Sequence, residues 1–91
     1  MPAQKKGASF YVVSYDIPSD KRRNKVHKLL RGFGEWVQYS VFECFLTPKE
    51  RLSLQAKLKP RLVEKEDQVR IYYLCDGCLP KVETIGCVRS Q

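Results

Sequence analysis

The sequence predicts an α+β fold in which an antiparallel sheet carries two helices on one face. Three observations lead there. Ninety-one residues make one domain. The hydrophobic period switches along the chain from strand to helix to strand to helix to strand. Two helical segments suffice to cover only one face of the resulting sheet. The order is that of a ferredoxin-like sandwich. Its open face most simply buries itself on a second copy, sheet to sheet, as a homodimer.

Residues 1–9 read as a flexible tail, 10–80 as the ferredoxin-like domain and 81–91 as a C-terminal strand or arm. The first strand is Phe10-Tyr11-Val12-Val13-Ser14-Tyr15-Asp16, rich in β-branched and aromatic side chains. Pro18 stops it, and Ser19 or Asp20 can cap a helix. That helix runs to about Phe33, with Val26, Leu29, Leu30 and Phe33 as its apolar stripe. Gly32 and Gly34 bracket its end, as a C-cap would.

Glu35 to Leu46 reads as the longest strand, with the option of a break into a hairpin. Val37, Tyr39, Val41 and Phe45 share one face, which looks like an ordinary core face apart from Glu43. Trp36, Gln38, Ser40, Phe42 and Cys44 share the other. Its mixture of polar and aromatic groups suits an interface or a site. Thr47-Pro48-Lys49-Glu50 starts a second helix with a cap followed by proline. Leu52, Leu54, Leu58 and Leu62 supply its buried side, and Pro60 ends or kinks it. Asp67 to Cys75 is a third strand with bulk on both faces, so a central position is expected. Val82 to Val88 can form a last strand.

The net charge is +7, from 17 basic and 10 acidic residues, which suits a polyanionic partner. No apolar stretch approaches a membrane span, and no apolar run follows the basic N-terminus as in a signal peptide. A cytoplasmic protein with reduced cysteines is expected.

Asp16 stands where a strand ends and a helix begins. Its plain reading is a turn-former or cap. Its chemical reading is a metal ligand, and one carboxylate alone is a poor phosphodiester catalyst. Two copies across a dimer axis can hold one hard divalent cation, since magnesium keeps most of its waters. The first helix carries Lys21, Arg22, Arg23, Lys25, Lys28 and Arg31 against Asp20. Those bases bind phosphate, form a solvated face, or pair with Asp16 or Asp20. Ser40 suits a phosphate hydrogen bond but has no evident histidine to activate it. Phe42 reads as packing before stacking. His27, the only histidine, reads as surface or core filler before a catalyst. Cys75-x-x-Cys78 is weak evidence for zinc, which would need Cys44 and Cys87 as well.

Tyr15-Asp16-Ile17, Arg23-Asn24-Lys25, Gly34 and Gln38-Tyr39-Ser40-Val41-Phe42-Glu43-Cys44 together resemble the CRISPR-associated Cas-two (Cas2) family. Asp67-Gln68-Val69-Arg70-Ile71-Tyr72 resembles the family's strand after the second helix. The resemblance implies a ferredoxin-like homodimer that joins the Cas-one (Cas1) integrase on duplex DNA during spacer acquisition. It also implies magnesium-dependent endonuclease activity on single-stranded RNA or double-stranded DNA. Asp16 would be the metal ligand from each subunit, with Arg23, Ser40 and Phe42 near it. The C-terminal segment, Thr84 to Val88, would pair with the partner's sheet. Trp36 and Lys25 stand where some members have arginine. Two readings follow: a metal-dependent endonuclease, and a non-catalytic basic scaffold for nucleic acid. A zinc-stapled small domain is a third.

Overall fold

A computed structural model describes residues 6–75 and 83–85. Strand β1 (Ser9–Asp16) leads to helix α1 (Asp20–Arg31), β2 (Glu35–Gln38) and β3 (Val41–Leu46). Helix α2 (Pro48–Leu58), a 3-10 turn (Lys59–Arg61) and β4 (Gln68–Leu74) complete the order. The sheet runs β2-β3-β1-β4, antiparallel throughout. This is the ferredoxin-like arrangement that the element order predicts.

Both helix starts follow their local chemistry. Ser19 is the N-cap of α1 and accepts from the Arg22 backbone N–H. Thr47 caps α2 in a full capping box, its hydroxyl accepting from the Glu50 N–H while Glu50 accepts from the Thr47 N–H. After Leu58 the chain tightens into the 3-10 turn at Pro60, because proline cannot continue the α-helical ladder.

The core lies between the helices and one face of the sheet. Val13 from β1, Val26 and Leu30 from α1, Phe42, Cys44 and Leu46 from β3, and Leu54 from α2 are essentially inaccessible. Each large side chain among them contributes roughly 1.5–3 kcal/mol by burial. Leu52 is 69% exposed and does not join them. It falls off the stripe that Leu54 and Leu58 put against the sheet.

The Glu35–Leu46 segment takes the hairpin option that the sequence left open, broken at Tyr39-Ser40, with a register shift between Trp36 and Gln38. Two expectations are corrected. First, the faces of the hairpin are the reverse of those expected: Phe42, Cys44 and Leu46 point into the core, while Val41, Glu43 and Phe45 are only partly covered. Trp36 shares the core face with Phe42 and Cys44, while the register shift puts Gln38 opposite Val41 and Ser40 falls in the turn, so the polar residues counted on that face are not on it. Second, β4 is an edge strand of this sheet. Val69 and Ile71 pack against the helix-covered core, while Tyr72 and Tyr73 are about half exposed or more.

The expected tail reaches only to Ala8, since Ser9 already pairs with Leu46. Cys78, Cys87 and most of Val82–Val88 lie outside the described residues; 83–85 are exposed and carry no regular structure.

Gly34 sets the entry to β2. A Cβ there would collide with the Cys44 Sγ and the Glu43 carbonyl oxygen. The strand passes so close to β3 that only hydrogen fits. Gly34→Ala should therefore destabilise the chain by about 1–3 kcal/mol. Gly32→Ala, where the nearest atom is the Leu29 carbonyl oxygen at 3.3 Å, should cost clearly less. Urea unfolding of the two variants checks this; equal losses would contradict the close approach.

Candidate functional site

One end of the sheet gathers four features. They are Asp16 at the end of β1, the Tyr39-Ser40 turn, Gln68 at the start of β4, and the first turns of α1. Register brings them together: Asp16 is opposite Gln68, and the Tyr15 N–H donates to the Ser40 carbonyl oxygen at 3.1 Å. By strand alternation Asp16 falls on the open face with Phe10, Val12 and Ser14, and Tyr15 on the helix face. Asp16 is exposed, and among the described residues nothing donates to its carboxylate.

Arg23 lies beside this end. Its Nη1 donates to the Ile17 carbonyl oxygen at 2.9 Å, and its Nη2 pairs with Asp20. It ties down the chain immediately after Asp16. Ser40 is half-buried in the turn. Phe42 is wholly buried and stacks near Tyr15 and edge-on to His27, so it supports the site by packing.

Arg22 is not a spare base. Its Nε and Nη2 grip the two Asp67 oxygens at 2.8 and 3.1 Å, and Nη2 also reaches Glu66. Asp67 further accepts from the Val63 N–H. The fork fastens α1 to the loop before β4, in a place of the pairings with Asp16 or Asp20 considered from sequence. Hydrogen bonds from Arg22 hold the Asp67 carboxyl below its ordinary range.

Sequence reasoning missed the pairing of Tyr15 with His27. The hydroxyl and Nδ1 are 2.9 Å apart, and the imidazole meets Trp36 edge-on. Burial, helped by the Arg31 charge, pushes His27 below the usual histidine value, so the ring is neutral at neutral pH. Burial pushes the Tyr15 phenol up, against smaller opposing pulls from the Ser40 side chain and Arg23. His27 borders the apolar stripe of α1, which hinted at burial but not at its partner.

Lys21, Lys25, Lys28 and Arg31 are exposed along α1 and make no ion pair among the described residues. Lys25, Lys28 and Leu29 line a groove of about 470 Å3 with Arg61 of the 3-10 turn. Arg61 is a second residue the sequence did not single out. Nothing in the linear order places it against α1.

Among the described residues no three His, Cys, Asp or Glu side chains converge as a metal cluster. Of the four thiols a zinc staple would use, Cys44 is buried in the core and Cys75 is exposed after β4. No helix among the described residues is long and apolar enough to cross a membrane.

The family model for CRISPR associated protein Cas2 matches residues 9–82. The chain belongs to the Cas2 family. It is 45% identical over 76 residues to the CRISPR-associated endoribonuclease Cas2 3 of Synechocystis sp., covering 84% of this chain and 83% of that one. Streptococcus pyogenes Cas2, in a crystal structure at pH 6.5, superposes with a TM-score of 0.74 at 36% identity, over 85% of this chain and 99% of that one. A chain of a partial Cas6-RT-Cas1–Cas2 complex superposes with a TM-score of 0.73 at 31% identity, over 85% and 90%. This Cas2 fold thus occurs in an assembly that includes Cas1.

The Arg22–Asp67 fork has a pH consequence. A carboxyl lowered in the folded state lends stability above its unfolded value, near pH 4. That stability is lost as pH falls through the lowered value. Asp67→Asn should lower stability at pH 7 and flatten the loss below about pH 4. Thermal melts of both proteins from pH 7 to pH 2 read this directly; parallel curves would refute it.

Proposed function

We propose that this chain is a homodimeric CRISPR adaptation protein that binds nucleic acid, docks a Cas1 integrase and cleaves phosphodiesters with magnesium held by a pair of Asp16 carboxylates. The observation that carries the reading is the exposed, unengaged Asp16 carboxylate at the end of a strand, on the face that the helices leave open. The curated relative named an endoribonuclease and the complex containing Cas1 support the activity and the partner. A lone hard-oxygen donor fits magnesium only as half of a ligand set, so the site is completed by the second copy. When bound, the metal would activate water and offset the charge that develops on phosphate. Asp16 from each chain would hold it, Arg23 would keep the following chain in place, and Ser40 would orient the turn beside it. The substrate is single-stranded RNA or double-stranded DNA.

A scaffold reading is favoured by a separate observation. Lys21, Lys25, Lys28 and Arg31 project from α1, across the sheet from the Asp16 face. Such a stripe contacts phosphates without reading sequence, so affinity should fall steeply with salt.

Two experiments separate the roles. Asp16→Ala should abolish magnesium-dependent cleavage of RNA and duplex DNA, by at least about 10²-fold, while leaving duplex binding intact. Undiminished cleavage would refute the metal-ligand role. Charge reversal at Lys21, Lys25 and Lys28 should weaken duplex binding and flatten its salt dependence; unchanged binding would make the helix face a solvated surface only.

A further inference from the structure

Tyr39 occupies a position that neither turn chemistry nor packing explains. It is the first residue of the two-residue turn between β2 and β3, with a φ of 44°. Glycine, asparagine or aspartate is the usual occupant of such a conformation, since a larger side chain there is strained. Burial does not compensate, because Tyr39 is 82% exposed. The turn is nevertheless held firmly. The Trp36 indole N–H donates to the Tyr39 carbonyl oxygen at 2.8 Å. The next residue, Ser40, accepts from the Tyr15 N–H at 3.1 Å. Trp36 in turn meets His27, which bonds Tyr15. An aromatic ring is thus presented to solvent from a rigid turn, one residue from the pairing that fixes the end of β1.

The chain as a whole is basic, with a net charge of +7. An exposed ring on such a chain fits a ligand with a flat face and a polyanionic backbone. An unpaired base of a single strand offers both, whereas a duplex keeps its base faces stacked inside. Strain kept at an exposed aromatic is understandable if a ligand, absent from the free chain, repays it.

We propose that Tyr39 is a stacking contact for an unpaired nucleobase, and that the β2–β3 turn is a single-strand-binding edge beside Asp16. This rests on the nucleic-acid reading above and names the residue that would discriminate strands from duplex.

The test is fluorescence anisotropy with labelled single-stranded RNA and with a blunt duplex, at one low salt concentration. Wild type is compared with Tyr39→Asn and Tyr39→Phe. Tyr39→Asn should bind the single strand roughly fivefold or more weakly and the duplex as wild type does. Tyr39→Phe should keep both affinities. Asparagine tolerates positive φ, so Tyr39→Asn should melt no lower than wild type. That separates lost contact from lost fold. Unchanged single-strand affinity in Tyr39→Asn overturns the proposal, as does a parallel loss on duplex. A change in sedimentation of Tyr39→Asn would assign the ring to contact between copies and also overturn it. Wild type that binds neither probe would defeat the nucleic-acid reading itself.

Discussion

Strand β1 exchanges hydrogen bonds with β3 along one edge and with β4 along the other. That double pairing is the constraint on which the functional end of the molecule depends. It places Tyr15 and Asp16 on opposite faces one residue apart. Tyr15 turns into the helix layer, where His27 meets it; Asp16 turns to the open face. The same ladder brings the Tyr39-Ser40 turn and the start of β4 alongside. The Arg22–Asp67 fork then closes this end from the helix side. Apart from the positive φ of Tyr39, none of these residues is unusual alone. Their meeting at one end of the sheet follows from the strand order.

Local chemistry was legible in the sequence, and long-range placement was not. Ser19, Thr47, Pro48 and Pro60 act within a turn of themselves, so reading them needed only neighbours. The stripe of Val26 and Leu30 was equally plain. The position of β4 was not, because bulk on both faces describes a strand that meets another surface as well as one flanked by strands. Trp36, Phe42 and Cys44 do share a face as their spacing predicts, but polar Gln38 and Ser40, which lie at the bulge and in the turn, disguise it in the sequence as an interface. Arg22 with Asp67, and Tyr15 with His27, are contacts across 45 and 12 residues. Neither has a signature in spacing. Of the site itself, Asp16, Arg23 and Ser40 were legible through family resemblance and do gather at one end. Phe42 proves to be core, and Tyr39 had passed as part of an ordinary strand face.

The two faces differ in chemistry. The helix side carries the cations and the groove with Arg61. The open side carries Asp16 together with partly covered apolar groups, among them Val12, Val41 and Phe45. Glu43 lies among them opposite Glu35, and burial first, then Glu35, raises its carboxyl above the ordinary range. A face of this kind is too apolar to be a simple solvent surface and too polar for a sealed core. It suits contact with a second chain, which would also bring the second Asp16. The proposed phosphate binding and the proposed carboxylate chemistry would then be separable, and the scaffold and nuclease readings do not compete for the same residues.

The central claim is that chemistry at Asp16 belongs to a pair of chains. Titration with manganese as a magnesium substitute, followed by electron paramagnetic resonance, tests it most directly. The account predicts one bound ion for every two chains, and loss of that ion in Asp16→Ala. One ion per single chain, or binding that survives Asp16→Ala unchanged, would contradict it.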